Sequence, residues 1–347
     1  VSLTVLSVSY PLARVSPDST GGSEQVLAAL DRALVAAGHR SVVVAPEGSH
    51  VAGDLAPIPW AAGTLDDAAK AGAQAANRAA IAGVLARTRV DLVHLHGIDF
   101  AAYLPPPGSP VLATLHLPPA WYGADALRPA RPGTFLNCVS AAQHAACPPS
   151  PALVAPIENG VPVGRLAAAR HARRGFALVL GRICPEKGIH LALEAAHRAD
   201  VPLLVAGEVY GYAAHRAYFE DEVRPRLDAR RRFLGPVGFA RKRRLLAAAR
   251  CLLVPSLAAE TSSLVVREAA ACGTPVVAFP NGAIADAVVE GETGFLVTGV
   301  DAMAAAIGRA GAIDPERCRA EARARFDEAD MAARYLALYR RLAGAGP

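Results

Sequence analysis

Apolar residues in this chain fall in short blocks separated by longer amphipathic stretches. Residues 1–9 (VSLTVLSVS) are a β-branched apolar run, the pattern of a buried strand. A proline-bearing loop follows and ends in Gly21-Gly22. Residues 23–37 space their apolar positions for a helix, with Ser23 as cap and Gly38 as stop. Residues 41–45 return to strand, which completes a βαβ unit. The alternation continues. Residues 46–65 are rich in Pro, Gly and Ala and predict irregular loop, and 66–87 predict an Ala-rich helix. Residues 91–96 (DLVHLH), 111–116 (VLATLH) and 134–140 (TFLNCVS) predict strands, and Ser140 opens a short helix before the Pro-rich 148–156. Polar and basic residues at 164–174 mark a linker.

A second series begins at 176–180 (FALVL). It runs through a helix from about Gly188, with Leu191, Ala195 and Ala196 on one face, to a strand at 201–206. A long stretch at 209–227 holds Tyr210, Tyr212 and His215. A short strand is predicted at 233–237 (FLGPV) and another at 251–254. A helix over 264–272 is closed by Gly273 and followed by a strand at 275–279. Residues 281–289 read as loop and helix, 290–297 as turn and strand. The Arg-rich tail 315–342 reads as helix, with Tyr335 and Tyr339 on one face. Strand and helix alternating throughout predict an α/β fold.

Composition adds bounds to this picture. A chain of 347 residues, 52% hydrophobic, has room for two domains with separate cores. The net charge is +5, with 11 basic and 11 acidic residues in 1–170 and 25 against 20 beyond. The second half therefore suits an anion, but the excess is too mild for nucleic acid. Six scattered Cys without C-x-x-C predict buried, reduced thiols in a cytoplasmic protein rather than a disulfide scaffold or zinc site. No apolar run reaches the roughly 18 residues of a membrane span. The opening on a strand-like segment predicts no signal peptide.

Candidate chemistry concentrates in 251–279. Glu260 sits in the loop before the 264–272 helix, and Glu268 lies on it. Thr261, Ser262 and Ser263 are three candidate N-caps. The helix start presents N–H groups at Ser263, Leu264 and Val265, a ready anion site flanked by two carboxylates. Such carboxylates accept hydrogen bonds from paired sugar hydroxyls; the alternative is a capped helix with two solvated glutamates. Arg182 and Lys187 flank a strand-to-helix turn, which puts two cations at the carboxyl edge of a parallel sheet, where a diphosphate binds. His116 ends a strand at such an edge. His94 and His96 share a face of their strand, and with His116 could ligate a metal; the alternative for His94 is a packed strand residue. Gly21-Gly22 marks a tight turn before a helix and lacks the G-x-G-x-x-G dinucleotide fingerprint. The dense basic runs 230–232 and 241–244 are either a solvated helix face or an electrostatic contact with anionic lipid or an anionic acceptor.

These motifs together resemble the retaining glycosyltransferases of family 4, which have the GT-B fold. The resemblance rests on Glu260, Glu268 and the following GTPVVAF, and on Gly181-Arg182 with Lys187-Gly188 about eighty residues earlier. Weaker likenesses are Gly21-Gly22 with Glu24, Thr114-Leu115-His116, IENGVP at 157–162 and EGETGFLV at 290–297. The resemblance implies two Rossmann-like domains facing across a cleft. Residues 1–168 would be the acceptor domain and 169–320 the nucleotide-sugar donor domain, with a C-terminal helix, 321–343, packing back on the first.

The implied reaction moves a hexosyl group from a nucleotide-diphosphate sugar, UDP by default, to the hydroxyl of a carbohydrate, lipid-linked or small-molecule acceptor. Anomeric configuration is retained. Arg182, Lys187 and the N–H groups of Ser263, Leu264 and Val265 would take the diphosphate, near Gly22. Glu268 would accept the ribose hydroxyls. Glu260 and His116 would hold the sugar, and Gly21 and Glu24 would lie toward the acceptor. No D-x-D ends a strand and two cations already serve the diphosphate, so neither cofactor nor metal is expected. The protein would be cytoplasmic, with peripheral contact to the inner membrane face through 230–244. One departure is the Ser262-Ser263 pair where the family carries an aromatic and a Gly, which predicts altered detail near the diphosphate. The competing readings are a GT-B sugar-nucleotide epimerase and a non-catalytic sugar-nucleotide or polyanion binder.

Overall fold

The computed structural model describes residues 2–169 and 171–344; Val1 of the expected first strand and Arg170 of the expected linker lie outside them. Twelve parallel strands form two six-stranded sheets. The first holds β1 (Thr4–Val8), β2 (Arg40–Pro46), β3 (Asp54–Ile58), β4 (Leu92–Leu95), β5 (Val111–Leu115) and β6 (Thr134–Cys138), in the order β3-β2-β1-β4-β5-β6. The second holds β7 (Ala177–Leu180), β8 (Leu203–Ala206), β9 (Arg231–Phe233), β10 (Cys251–Val254), β11 (Val276–Ala278) and β12 (Gly294–Leu296), in the order β12-β11-β10-β7-β8-β9. Counted from its own first strand, each sheet runs 3-2-1-4-5-6, the doubly wound order. The chain order reverses between β1 and β4 in one sheet and between β7 and β10 in the other.

Both sheets carry helices, and their central strands are buried on both faces. β4, β5, β7 and β10 are buried along their whole length, as all-parallel strands must be. In the second unit, one apolar cluster holds Leu178, Leu252 and Ala270, and another holds Val179, Leu193, Leu253 and Ile307, one on each face of the sheet.

Residues up to 159, with those from 329 onward, make one compact unit; residues 160–328 make the other. The change at 160 has a local cause. The Val161 N–H donates to the Phe326 carbonyl at 2.8 Å, and the Glu328 N–H donates to the Val161 carbonyl at 2.9 Å. Val161, Val163 and Leu166 are buried beside Phe326. The helix Val163–Ala167 therefore stands where a linker was expected. The tail is two helices, Pro315–Arg325 in the second unit and Glu328–Gly344 essentially in the first.

Three further expectations are corrected. The predicted loop 46–65 contains β3, an edge strand; Pro57 needs no N–H partner there, and its composition hid the strand. Ser23 lies inside the helix Gly22–Ala36, whose N-cap is Gly21 with no side-chain hydrogen bond. The strand expected at 233–237 is β9, two residues earlier, and it begins on the buried Arg231. Arg231 is neutralised by Asp228 at 3.2 Å and Asp200 at 3.5 Å, so 230–232 is neither a helix nor a uniformly solvated face.

All six Cys are free thiols, and Cys138 and Cys147 bring their sulfurs within 3.5 Å. No helix among the described residues is long and apolar enough to cross a membrane.

Candidate functional site

The carboxyl ends of β7 and β10, at the order reversal of the second sheet, carry most of the predicted residues. After β7 the chain turns through Arg182 into a short 3₁₀ turn, Pro185–Lys187, and then the helix Ile189–Arg198. Gly188 joins them at φ 60°, and a Cβ there would meet the Pro255 carbonyl at 2.3 Å. The loop after β10 is tied to this turn by the Leu257 N–H donating to the Glu186 carbonyl at 2.8 Å. It is tied from the other side by the Glu260 N–H to the Asn281 carbonyl (3.2 Å) and the Ala283 N–H to the Glu260 carbonyl (2.8 Å). Gly282 sits at φ 66° against Glu260, where a Cβ would strike the Glu260 carbonyl at 2.3 Å. A fixed backbone thus aims the Glu260 side chain.

Glu260 Oε1 accepts from Lys187 Nζ and Ser256 Oγ, each at 2.5 Å. Burial opposes ionisation of this carboxyl. The Lys187 ammonium, the two hydrogen bonds and Arg182 outweigh it and hold the carboxyl below its ordinary range. Glu260 is therefore an anion at neutral pH. Lys187 is its direct partner, while the Arg182 guanidinium makes no ion pair among the described residues.

The helix Leu264–Cys272 begins differently from its expected form. Ser263 is the N-cap, but at φ 49° in the left-handed region, and neither it nor Ser262 caps with its hydroxyl. Both hydroxyls are buried without a hydrogen-bond partner. The Leu264 and Val265 N–H groups belong to the first turn and have no intrahelical acceptor. A left-handed position explains why the resembled family prefers Gly where this chain has Ser263.

One turn further, Glu268 is 1% exposed. Its Oε1 is held by Lys242 Nζ, and its Oε2 is buried with no partner. Lys242 was hidden in the basic run 241–244; it lies on the helix Phe239–Ala248 and is itself buried. The only sequence signal was an apolar pattern, Lys242 with Leu246, at i, i+4. The result is a carboxylate with one oxygen neutralised and one unsatisfied, beside orphan hydroxyls and first-turn N–H groups. Such a surface accepts a diol and an anion together.

The remaining predicted residues lie in the first unit. Gly21 and Gly22 open its first helix, and Glu24 is buried with an oxygen accepting from Ser23 Oγ at 2.9 Å. His116, after β5, is half-buried, and its Nε2 lies 3.0 Å from His96 Nδ1. Burial lowers its pKa to about 3, so it is neutral at physiological pH. His94 uses Nδ1 with Tyr339 (2.7 Å) and Nε2 with Thr114 (2.8 Å), which removes it from any metal-ligand set with its two neighbours. The Tyr335 hydroxyl bridges Thr114 and Asn137, so the Tyr335–Tyr339 face of the last helix is packing. Elsewhere, among the described residues, Cys184, Glu186 and His215 bring one ligand atom each within 4.8 Å of one another. Arg182 acts electrostatically on His215 and opposes a bare cation there.

Two family models match the chain: "Glycosyltransferase Family 4" over residues 20–165 and "Glycosyl transferases group 1" over 175–311. Among curated proteins, the phosphatidyl-myo-inositol mannosyltransferase of Mycolicibacterium smegmatis is 33% identical over 211 residues, 55% of this chain and 52% of that protein. The chain spans about a third to a half of the length of the curated relatives it matches. Among solved structures, AviGT4, a glycosyltransferase involved in avilamycin A biosynthesis, is 27% identical with a TM-score of 0.72, covering 99% of both chains. Anabaena HepE, in complex with UDP and glucose, is 20% identical with a TM-score of 0.73, covering 97% of this chain and 99% of that one, a likeness of fold. With both units matched, this chain belongs to glycosyltransferase family 4 and carries the GT-B fold of two Rossmann-like domains.

Proposed function

We propose that this chain is a retaining glycosyltransferase that moves a hexosyl group from a nucleotide-diphosphate sugar to an acceptor hydroxyl. The observation that carries the reading is Glu268, a buried carboxylate with Oε1 held by Lys242 and Oε2 unsatisfied. A ribose diol supplies hydroxyl donors for the oxygen left unsatisfied. Departure of the diphosphate builds negative charge on its oxygens. Arg182, Lys187 and the N–H groups of Ser263, Leu264 and Val265 would stabilise it. Lys187 would exchange part of its pairing with Glu260 for the diphosphate, leaving the Glu260 anion to orient the hexose. Neutral His116 would hydrogen-bond a sugar hydroxyl without adding charge.

UDP is the first nucleotide to test, because HepE, of the same fold, was crystallised with it. The acceptor is a carbohydrate, lipid-linked or small-molecule hydroxyl; the mannosyltransferase relative acts, by its name, on phosphatidyl-myo-inositol. Two side-chain cations at the diphosphate make a metal unnecessary in this reading. Gly21, Gly22 and Glu24 remain assigned to the donor phosphates and acceptor, a cytoplasmic location goes with the donor, and 230–244 is proposed to make peripheral contact with the inner membrane face.

Calorimetry with UDP and GDP, without added metal, tests the donor site on wild type and on Glu268→Gln. Micromolar binding of one nucleotide, weakened at least tenfold in the variant, is expected. Equal binding by wild type and variant overturns the assignment of Glu268. The anomeric configuration of the product, read by proton NMR, tests retention.

A further inference from the structure

The second unit has a cavity at the amino-terminal edge of its sheet, on the opposite edge from Arg182 and Glu260. It has a volume of about 820 Å³ and is formed where the chain enters β7, β8 and β9, beside the helix Phe239–Ala248. β7 has four residues, so the two edges are about 13 Å apart, too far for one small anion to touch both. Phe176, Leu204 and Leu245 give the cavity an apolar floor. Among the described residues, six arginines line it and no acidic side chain does.

These arginines fall into two groups. Arg173 donates to the Ile313 and Gly273 carbonyls, each at 2.9 Å, and Arg230 to Asp200 at 2.5 Å. Those two are framework. Arg174, Arg232, Arg241 and Arg244 make no ion pair and no side-chain hydrogen bond among the described residues. Their backbones are nonetheless fixed: the Arg174 N–H donates to the Ala248 carbonyl at 2.7 Å, Arg232 lies on β9, and Arg241 and Arg244 lie on one helix. The contrast with their neighbours is informative. Arg231 and Lys242, interleaved in the same basic runs, are each neutralised by a carboxylate. Four like charges converging on one concavity repel, and an anion there would relieve the repulsion. Guanidinium groups match phosphate oxygens two by two.

We infer that this cavity is a second anion site, which binds a ligand bearing two or more phosphate charges, separate from the donor diphosphate site. The inference does not depend on the transferase reading. Two sources share this chemistry, a free oligophosphate and the headgroups of an anionic membrane. The apolar floor suits either a base or sugar face, or the glycerol region of a lipid.

The test uses tripolyphosphate as the soluble probe and vesicles of phosphatidylcholine with phosphatidylglycerol as the membrane probe. Calorimetry with tripolyphosphate is expected to find binding that Arg232→Ser with Arg244→Ser weakens at least tenfold and Lys187→Ala leaves unchanged at this site. Loss of vesicle co-sedimentation in the same double variant assigns the ligand to the membrane surface. Loss of tripolyphosphate binding alone assigns it to a free phosphate compound. A measurement on wild type guards against a poorly folded variant. Tripolyphosphate is expected to protect the peptides carrying Arg232, Arg241 and Arg244 from phenylglyoxal, read by mass spectrometry. Protection confined to the Arg182 peptide, or unchanged affinity for both probes in the double variant, overturns the site.

Discussion

The two units share one strand order but place opposite kinds of chemistry at their carboxyl edges. In the first, the groups at the ends of β4 and β5 are neutral and desolvated: His94, His96 and Thr114, linked to the hydroxyls of Tyr335 and Tyr339, with His116 after them. Burial keeps all three imidazoles uncharged. In the second, the carboxyl ends of β7 and β10 hold Lys187 with Glu260, and the helices on either side of β10 in sequence hold Lys242 with Glu268. Topology decides where a site forms, and the partner of each buried group decides whether it keeps its charge.

The largest effect should come from separating Lys242 and Glu268. Lys242→Met leaves a buried carboxylate unpaired, and breaking one partner of such a pair costs about 3–5 kcal/mol. Lys242→Met with Glu268→Gln should recover most of that stability while nucleotide binding stays lost. Both tryptophans, Trp60 and Trp121, lie in the first unit. Urea unfolding followed by circular dichroism should therefore show the loss, while tryptophan fluorescence barely changes. A matching shift in fluorescence would mean that the charged pair does not stabilise its own unit alone.

Acid should act on the other unit first. A histidine with a depressed folded-state pKa is neutral when folded and takes up a proton when unfolded. Its contribution is complete above pH 6.5 and is lost as pH falls toward the folded value, about 3 for His116. The slope approaches about 1.4 kcal/mol per pH unit for each such histidine. Glu260 is shifted down from 4.5, so its contribution is complete above that value and declines below it. Between pH 6.5 and 4.5, then, urea midpoints read by fluorescence should fall further than the second unit's, where His190 and His215 are also shifted down but not as far as His94 and His96. Replacing His96 with Gln should flatten part of that fall, and an unchanged profile would remove the histidines as its cause.

Much of this contrast was legible in the chain. Glu260, Glu268, Arg182 and Lys187 sit at motif spacings next to strand ends, and strand ends are readable from apolar runs. What stayed hidden depended on partners distant in sequence. Lys242 looks like a member of a solvated basic run, because nothing local says that Glu268 will meet it; Arg231 has Asp228 three residues away, but its burial depends on where β9 falls. β3 was masked by Pro57, which only an edge strand tolerates. Tyr335 and Tyr339 read correctly as one helix face, but their partners Thr114, Asn137 and His94 lie some two hundred residues away.

A smaller effect concerns the strained start of the helix Leu264–Cys272. Ser263 occupies φ 49°, which costs a non-glycine residue about 1–2 kcal/mol. Ser263→Gly removes that strain and an unsatisfied buried hydroxyl, but adds freedom to the unfolded chain, worth about 0.4–1 kcal/mol. The net should be a gain of up to about 1 kcal/mol, seen by circular dichroism. If nucleotide affinity rises with it, the serine is a cost to binding. If affinity falls, the Ser263 hydroxyl itself contacts the donor.

The smallest effect should separate a helix whose N-cap makes a side-chain hydrogen bond from one whose N-cap does not. Asp66, Ser140 and Asp314 cap their helices through side-chain hydrogen bonds. The N-cap residues Gly21 and Ser263 form no side-chain cap hydrogen bond, and neither do Gly188, Gly238 and Gly299. Leaving those first-turn N–H groups without a side-chain acceptor keeps them available to an anion. Asp66→Ala should therefore cost about 1 kcal/mol, the usual value of a lost cap. Ser23→Ala should stay within about 0.5 kcal/mol, since it removes only a contact to Glu24. Both are read by tryptophan fluorescence in urea. A cost for Ser23→Ala as large as that for Asp66→Ala would make Ser23 a capping residue after all and remove the distinction between open and closed helix ends.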